Sequence, residues 1–181
     1  LDLAPGPRIF PRRLLPEGML TAVASAIKLT PAIFVVYLLV VRRFRAFGVA
    51  VVTGLVLTLA SAAIEPAASY EFWTRLAHGD TGLGHRIIYY TNQSVMADIV
   101  RIFGLGPEPA IIGLVLSCGV AVAGVWAAAL WHRLGDVRLA VALCGIAGLL
   151  ASPVSWLHHF VWVAPLAMSL LEPRPVSPRS L

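Results

Sequence analysis

One lysine, two adjacent histidines and a short amide-rich string are the residues of this chain whose chemistry stands out. Lys28 is the only lysine and lies far from either end of an apolar run. A lysine in such a place must be paired or lose its proton. An anionic lipid headgroup is a natural partner; snorkelling, or the carbonyls of a turn at Pro31, would also satisfy it. His158 and His159 follow Trp156 just after Pro153. Adjacent helical residues point about 100° apart, so this pair does not chelate one ion as an i, i+4 pair does. A metal site would need further ligands such as His78 or His85. The pair can instead donate hydrogen bonds or charge to an anionic group, or join Trp156 and Trp162 in an interfacial aromatic belt. Asn92-Gln93-Ser94 carries amides able to bind sugar hydroxyls, and it also matches an N-glycosylation acceptor. Asp80 and Asp98 are the carboxylates most available as bases, against a reading as solvated surface; Glu65, Glu71 and Glu108 read as interface or cap residues.

The elements that position these groups are membrane elements. The 181 residues are 59% hydrophobic and 13% charged, with mean hydropathy +0.83. A soluble domain carries about 25% charged residues, so an integral membrane protein is expected, with membrane lipids as its surroundings. The pI near 9.9 comes from arginines in short loops beside apolar runs. A nucleic-acid binder would gather them on one polar face, so no nucleic-acid partner is implied. Cys118 and Cys144 fall inside apolar runs and read as small buried residues. No signal peptide is visible near the N-terminus, where prolines precede any apolar core. The first methionine is Met19, which suggests a piece of something longer.

Four runs are candidate spans: Leu20–Val41, Phe47–Ile64, Ala110–Trp131 and Leu139–Leu171. The last is too long for one helix, and Pro153 divides it into two short spans, 139–151 and 157–171. Arg42, Arg43, Arg45, Arg133, Arg138, Arg174 and Arg179 flank the runs. If they are cytoplasmic, Glu65–Pro109 and the His158-His159 junction are extracytoplasmic. A single crossing by Leu20–Val41 would send Arg8, Arg12 and Arg13 outward. A re-entrant hairpin over 14–41, turning at Lys28-Leu29-Thr30-Pro31, keeps them inside and lifts Lys28 toward the outer half of the membrane. Residues 1–13 then form a cytoplasmic or irregular leader, and the Pro-rich 172–181 a disordered tail. Within the outer segment, Ser69–Leu76 has helical apolar spacing suited to an interface. Gly79, Gly82 and Gly84 mark a flexible turn. Val95–Phe103 forms a short helix capped by Asn92 or Ser94. The fold class is all-α, a polytopic membrane protein.

Three strings occur in order: Ala26-Ile27-Lys28-Leu29-Thr30-Pro31; Asn92-Gln93-Ser94 with Arg101 nine residues after Asn92; and Ser152-Pro153-Val154-Ser155-Trp156-Leu157-His158-His159-Phe160-Val161-Trp162. Together they resemble glycosyltransferase family 87, the actinobacterial polyprenyl-phosphate-sugar-dependent transferases, over about Leu14 to Leu171. Most members resemble α-(1→2)-mannosyltransferases of phosphatidylinositol mannosides, lipomannan and lipoarabinomannan; some relatives transfer arabinofuranose.

The resemblance implies a GT-C membrane fold at the plasma membrane, working from the extracytoplasmic face without a nucleotide sugar; no other cofactor and no bound metal are expected. It implies a polyprenyl-phosphate-mannose donor and a glycolipid acceptor such as a phosphatidylinositol mannoside. It assigns the donor phosphate to Lys28, catalysis to His158 and His159, and the sugar or acceptor to Asn92, Gln93, Arg101 and Trp156. Inverting transfer also needs a carboxylate to take the acceptor's proton. The family's catalytic aspartate lies in a first outer loop upstream of this region, and neither Asp80 nor Asp98 corresponds to it. The family pattern after Asn-Gln-Ser continues with Asn-Gly, where this chain has Met96-Ala97. The expectation is a C-terminal part of a mannosyltransferase, inactive by itself. The alternatives are a non-catalytic membrane remnant or subunit, and an arabinofuranosyltransferase of the same family.

Overall fold

The computed structural model describes residues 15–78, 80 and 87–171. The expected leader and tail, the Gly79-Gly82-Gly84 turn, His85, and Arg8, Arg12, Arg13, Arg174 and Arg179 lie outside the described residues. Within them the chain is helical: α1 (Met19–Ile27), a 3-10 turn (Thr30–Ala32), α2 (Ile33–Val40), α3 (Phe44–Ile64), α4 (Pro66–Ala77), α5 (Val95–Phe103), α6 (Pro107–Arg133), α7 (Val137–Ala151), a 3-10 helix (Leu157–Trp162) and α8 (Val163–Leu171). The one extended pairing among the described residues is an antiparallel bridge between Asn92 and Trp156.

Two of these helices, α3 and α6, are long and apolar enough to cross a membrane. At 1.5 Å per residue, the 21 residues of α3 reach about 30 Å, the thickness of a hydrocarbon core. Much of its apolar surface faces outward, with Val52, Leu55, Val56 and Leu59 all exposed. A water-soluble chain would bury such a row; a lipid-facing helix leaves it outside. Cys118 lies exposed on α6, whereas Cys144 is buried on α7. The expectation of burial thus fails for Cys118, whose side of α6 is left uncovered by the described residues.

The run Leu20–Val41 is not one helix. Lys28 adopts an extended conformation (φ −149°, ψ 131°) that ends α1, and Pro31 starts the next turn, where its missing N–H leaves no bond unmade. Helix α2 ends in a Schellman motif: Arg43 N–H donates to the Leu38 carbonyl and Arg42 N–H to that of Leu39. Arg42 occupies the left-handed position at φ 60°. The same motif closes α6, with Gly135 at φ 90° and the Asp136 N–H donating to Trp131. Asp136 then caps α7 through its side chain on the Leu139 N–H.

The core gathers α1, α2, α3, α6 and α7 around Phe34, Tyr37, Leu38, Val125, Ala140 and Cys144. Small residues set the close approaches. On α7, Gly145 lies against the indole of Trp162, and a side chain there would overlap the ring. Buried Tyr37 donates to or accepts from Nδ1 of His132 at 2.7 Å, which joins α2 to α6. Pro153 marks the break read from the sequence: α7 stops at Ala151, and an irregular stretch leads to the 3-10 helix that carries both histidines.

Candidate functional site

The extended backbone at Lys28 turns its side chain toward the 3-10 helix, where Nζ meets His159 across 131 residues of sequence. Nζ lies 3.0 Å from Nε2 and 3.2 Å from Nδ1. An atom nearly equidistant from both ring nitrogens cannot lie along either in-plane lone pair, and within the ring plane it would collide with the carbon between them. The ammonium therefore sits over the imidazole face.

The ring is oriented independently of Lys28. The Trp156 N–H donates to Nδ1 of His159 at 2.9 Å, while the His159 N–H donates to the Trp156 carbonyl at 2.8 Å. With Nδ1 accepting, the neutral ring carries its hydrogen on Nε2. A cation on the ring face opposes a second proton on the imidazole. This arrangement offers an anion two donors at one place, the Lys28 ammonium and the His159 Nε2–H. It does not offer a free basic nitrogen. His158 is exposed, its ring 4.2 Å from that of His159. Among the described residues, no group of three or more His, Cys, Asp or Glu side chains could hold a metal ion, and His85 lies outside them.

A second link ties the same two segments together. Thr30 Oγ1 donates to Ser152 Oγ at 3.2 Å, and Ser152 Oγ donates to the Val154 carbonyl at 3.1 Å. The Lys28 turn and the Pro153 break are thus joined at two points.

Asn92 is fully buried, at 0% exposure. Its amide donates to the carbonyls of Ile87 (3.0 Å) and Pro153 (3.2 Å), and its Oδ1 accepts the Ser155 N–H at 2.8 Å. Both amide hydrogens are used, so the side chain has none to give a sugar. Gln93 pins the same irregular stretch by donating its backbone N–H to the Ser155 carbonyl at 2.7 Å, and its side chain donates to the Tyr90 carbonyl. Ser94 is the N-cap of α5, accepting the Ala97 N–H, and donates to the Pro153 carbonyl at 3.0 Å. Arg101, at the other end of α5, donates to the carbonyls of Tyr89 and Asn92 and pairs with Asp98. The Asn-Gln-Ser string and Arg101 therefore brace the Pro153 break from outside. Trp156 continues this brace into the backbone bonds that orient His159.

Two cavities meet at that break. One, of about 1300 Å³, is lined by Lys28, Thr30, Glu65, Trp73 and Ser152, with an apolar floor along α3 that includes Val51 and Leu55. The other, of about 1030 Å³, holds Glu71, Arg75, His78 and Asp80. Phe72, Leu76, Pro153 and Val154 border both. Arg75 donates to Asp80 and to Glu71, and the Asp80 hydrogen bond and charge hold its pKa above the ordinary guanidinium value.

Ser155 and the Thr30–Ser152 pair were not singled out by sequence reasoning. Ser155 is buried and donates to the Leu149 carbonyl at 2.6 Å, closing the open end of α7. Its place inside the Ser-Pro-Val-Ser string was the available signal.

The stretch of sequence that builds the Lys28 turn and the break at Pro153 matches a known family. The family model "Glycosyltransferase family 87" matches residues 3–153. The chain belongs to glycosyltransferase family 87. Among its curated relatives is a polyprenol-phosphate-mannose-dependent alpha-(1-2)-phosphatidylinositol mannoside mannosyltransferase of Mycolicibacterium smegmatis, 37% identical over 166 residues, covering 86% of this chain and 37% of the relative. The protein of the same description in Mycobacterium tuberculosis is 34% identical over 160 residues (88% of this chain, 37% of the relative). A phosphatidylinositol pentamannoside mannosyltransferase of Mycobacterium tuberculosis is 38% identical over 159 residues (86% and 36%). The chain thus spans little more than a third of the family 87 relatives it matches. No solved structure matches it.

Proposed function

We propose that this chain forms part of a plasma-membrane glycosyltransferase that moves mannose from polyprenyl-phosphate-mannose to a glycolipid such as a phosphatidylinositol mannoside. The observation that carries the reading is the Lys28–His159 contact at 3.0 Å, at the rim of an apolar-floored cavity of about 1300 Å³. A lipid-linked sugar phosphate has a matching form: a long apolar tail, an anionic head, and a sugar beyond it.

In this reading the chain is a piece of a GT-C fold. Residues 14–41 form a hairpin with Lys28 at its top, α3 and α6 cross the bilayer, and the segment 65–109 with the His158-His159 junction faces outward. The isoprenoid lies along α3. The Lys28 ammonium and the His159 Nε2–H receive the phosphate oxygens, and exposed His158 adds a donor at the rim. An acceptor hydroxyl attacks the anomeric carbon, whose bond to the phosphate oxygen breaks. The departing polyprenyl phosphate gains negative charge, which these donors stabilise more strongly than in the ground state. The hydroxyl's proton goes to a carboxylate. Asp98 and Asp80 are paired with Arg101 and Arg75, so that base is assigned to another part of the whole protein, and this stretch alone is expected to be inactive. Asn92, Gln93 and Arg101 serve by positioning, and Trp156 by facing the sugar.

The test is a membrane assay with labelled polyprenyl-phosphate-mannose and phosphatidylinositol mannoside, with the chain expressed in its native reading frame. Loss of transfer is expected when Lys28→Ala and His159→Ala are combined. Transfer that survives the pair would refute the assignment.

A further inference from the structure

Tyr89 and Tyr90 lie outside everything assigned so far. Their rings are 4.7 Å apart at 46°, and the Tyr89 ring stands 6.4 Å from that of Trp156 at 66°. Both tyrosines are exposed, at 54% and 70%. Exposed aromatic rings normally move, yet the backbone beneath these is fixed. The Tyr89 carbonyl accepts the Asn92 N–H at 2.9 Å and an Arg101 N–H at 3.1 Å, and the Tyr90 carbonyl accepts from the Gln93 amide at 2.7 Å.

We infer that Tyr89, Tyr90 and Trp156 form a stacking platform for a hexopyranose of the acceptor glycolipid. A pyranose presents C–H groups on one face, and these complement the negative face of an aromatic ring, while tyrosine hydroxyls at the edge meet sugar hydroxyls. The surroundings favour a carbohydrate over lipid tails. The Asp98–Arg101 ion pair and Gln93 sit beside the tyrosines, whereas the outward face of α3 carries Val52, Leu55, Val56 and Leu59. The platform is also continuous with the anion site: Trp156, its third member, gives its backbone N–H to His159. A sugar on the rings would therefore lie next to the group held by Lys28 and His159. The inference rests on the mannosyltransferase reading for the identity of the sugar.

Two measurements test it. In saturation-transfer NMR on the detergent-solubilised protein with α-(1→2)-mannobiose as probe, the unsubstituted chain is expected to label the protons of one pyranose face. The doubly substituted Tyr89→Leu, Tyr90→Leu protein should lose this signal, while Tyr89→Phe with Tyr90→Phe keeps it. In the transfer assay the leucine pair should raise the acceptor KM about tenfold, the effect of losing one good aromatic contact, with the donor KM unchanged. No labelling of the probe by the unsubstituted chain, or equal effects of leucine and phenylalanine, would overturn the platform. So would a leucine protein that leaves sugar binding intact and instead floats poorly with phosphatidylglycerol vesicles, because the rings would then be a membrane anchor. Probe labelling that depends on the rings, with no transfer by the protein expressed in its whole native reading frame, would support the platform and sink the mannosyltransferase reading alone.

Discussion

The side-chain oxygen of Asn92 accepts the backbone N–H of Ser155 at 2.8 Å, and both groups are fully buried. Through this bond a loop before α5 holds the chain just past Pro153, one residue before the N–H that orients His159. The amide is thus linked to His159 through the backbone of Ser155 and Trp156.

Removing that amide should therefore unsettle the whole junction. Asn92→Ala leaves the buried Ser155 N–H without its acceptor, at about 1–3 kcal/mol for such a group, and takes a donor from the carbonyls of Ile87 and Pro153, of which Pro153 keeps Ser94 Oγ. The expected outcome is a thermal midpoint in detergent several degrees lower, together with reduced transfer. Asn92→Asp should behave similarly, because a carboxylate cannot donate to the two carbonyls. An unchanged midpoint would show that the brace carries no weight.

The histidine substitutions separate donor from base. His159→Gln keeps an N–H near the position of Nε2, whereas His159→Ala removes it. Loss of one donor to a developing anion lowers kcat by about 10²–10³, so His159→Ala should fall in that range and His159→Gln should recover part of it. Equal, near-complete losses in both proteins would point to proton abstraction by the ring and against the donor role. Lys28→Arg should retain more activity than Lys28→Ala, since the charge survives.

Thr30 and Ser152 provide a measure of how tightly the two segments are coupled. Their hydroxyls are 3.2 Å apart, and a neutral hydrogen bond contributes about 0.5–1.5 kcal/mol net. A double-mutant cycle with Thr30→Val and Ser152→Ala, read by thermal unfolding, should give a coupling within that range. Strict additivity would mean that the contact does not form.

Gly145 gives a packing test at a distance from the chemistry. The Trp162 indole covers it, so Gly145→Val must push the 3-10 helix that carries His159 away from α7. Overpacking of this kind costs about 1–3 kcal/mol. The variant should lose both stability and activity, and Trp162→Ala in the same protein should restore part of the stability.

Topology has its own check. In a Cys118→Ser, Cys144→Ala background, single cysteines at positions 28 and 158 should react with a membrane-impermeant maleimide from the outer face, while one at position 42 should not. Labelling of positions 28 and 158 from opposite faces would dismantle the site.

Several features were legible from residue order. Uniformly apolar stretches of sufficient length gave α3 and α6, Pro153 gave the end of α7, and Ser94 was one of two named caps for α5. The three family strings led to the correct family. Each of these signals is local: helix length, a missing N–H, a cap, or a short motif is written in neighbouring residues.

What residue order could not supply was which faces meet. A helix apolar all round, such as α3 or α6, has no polar stripe to indicate its inner side. The sequence alone determined that the chain is helical and apolar, that it breaks at Pro153, and which polar residues are exceptional. Only the tertiary structure put Lys28 over the His159 ring, buried Asn92 under the break, exposed Cys118, and set Tyr89 and Tyr90 beside Trp156. Those outcomes depend on contacts between residues tens of positions apart, where close approach at small residues such as Gly145, and the need to satisfy every buried polar group, select one arrangement.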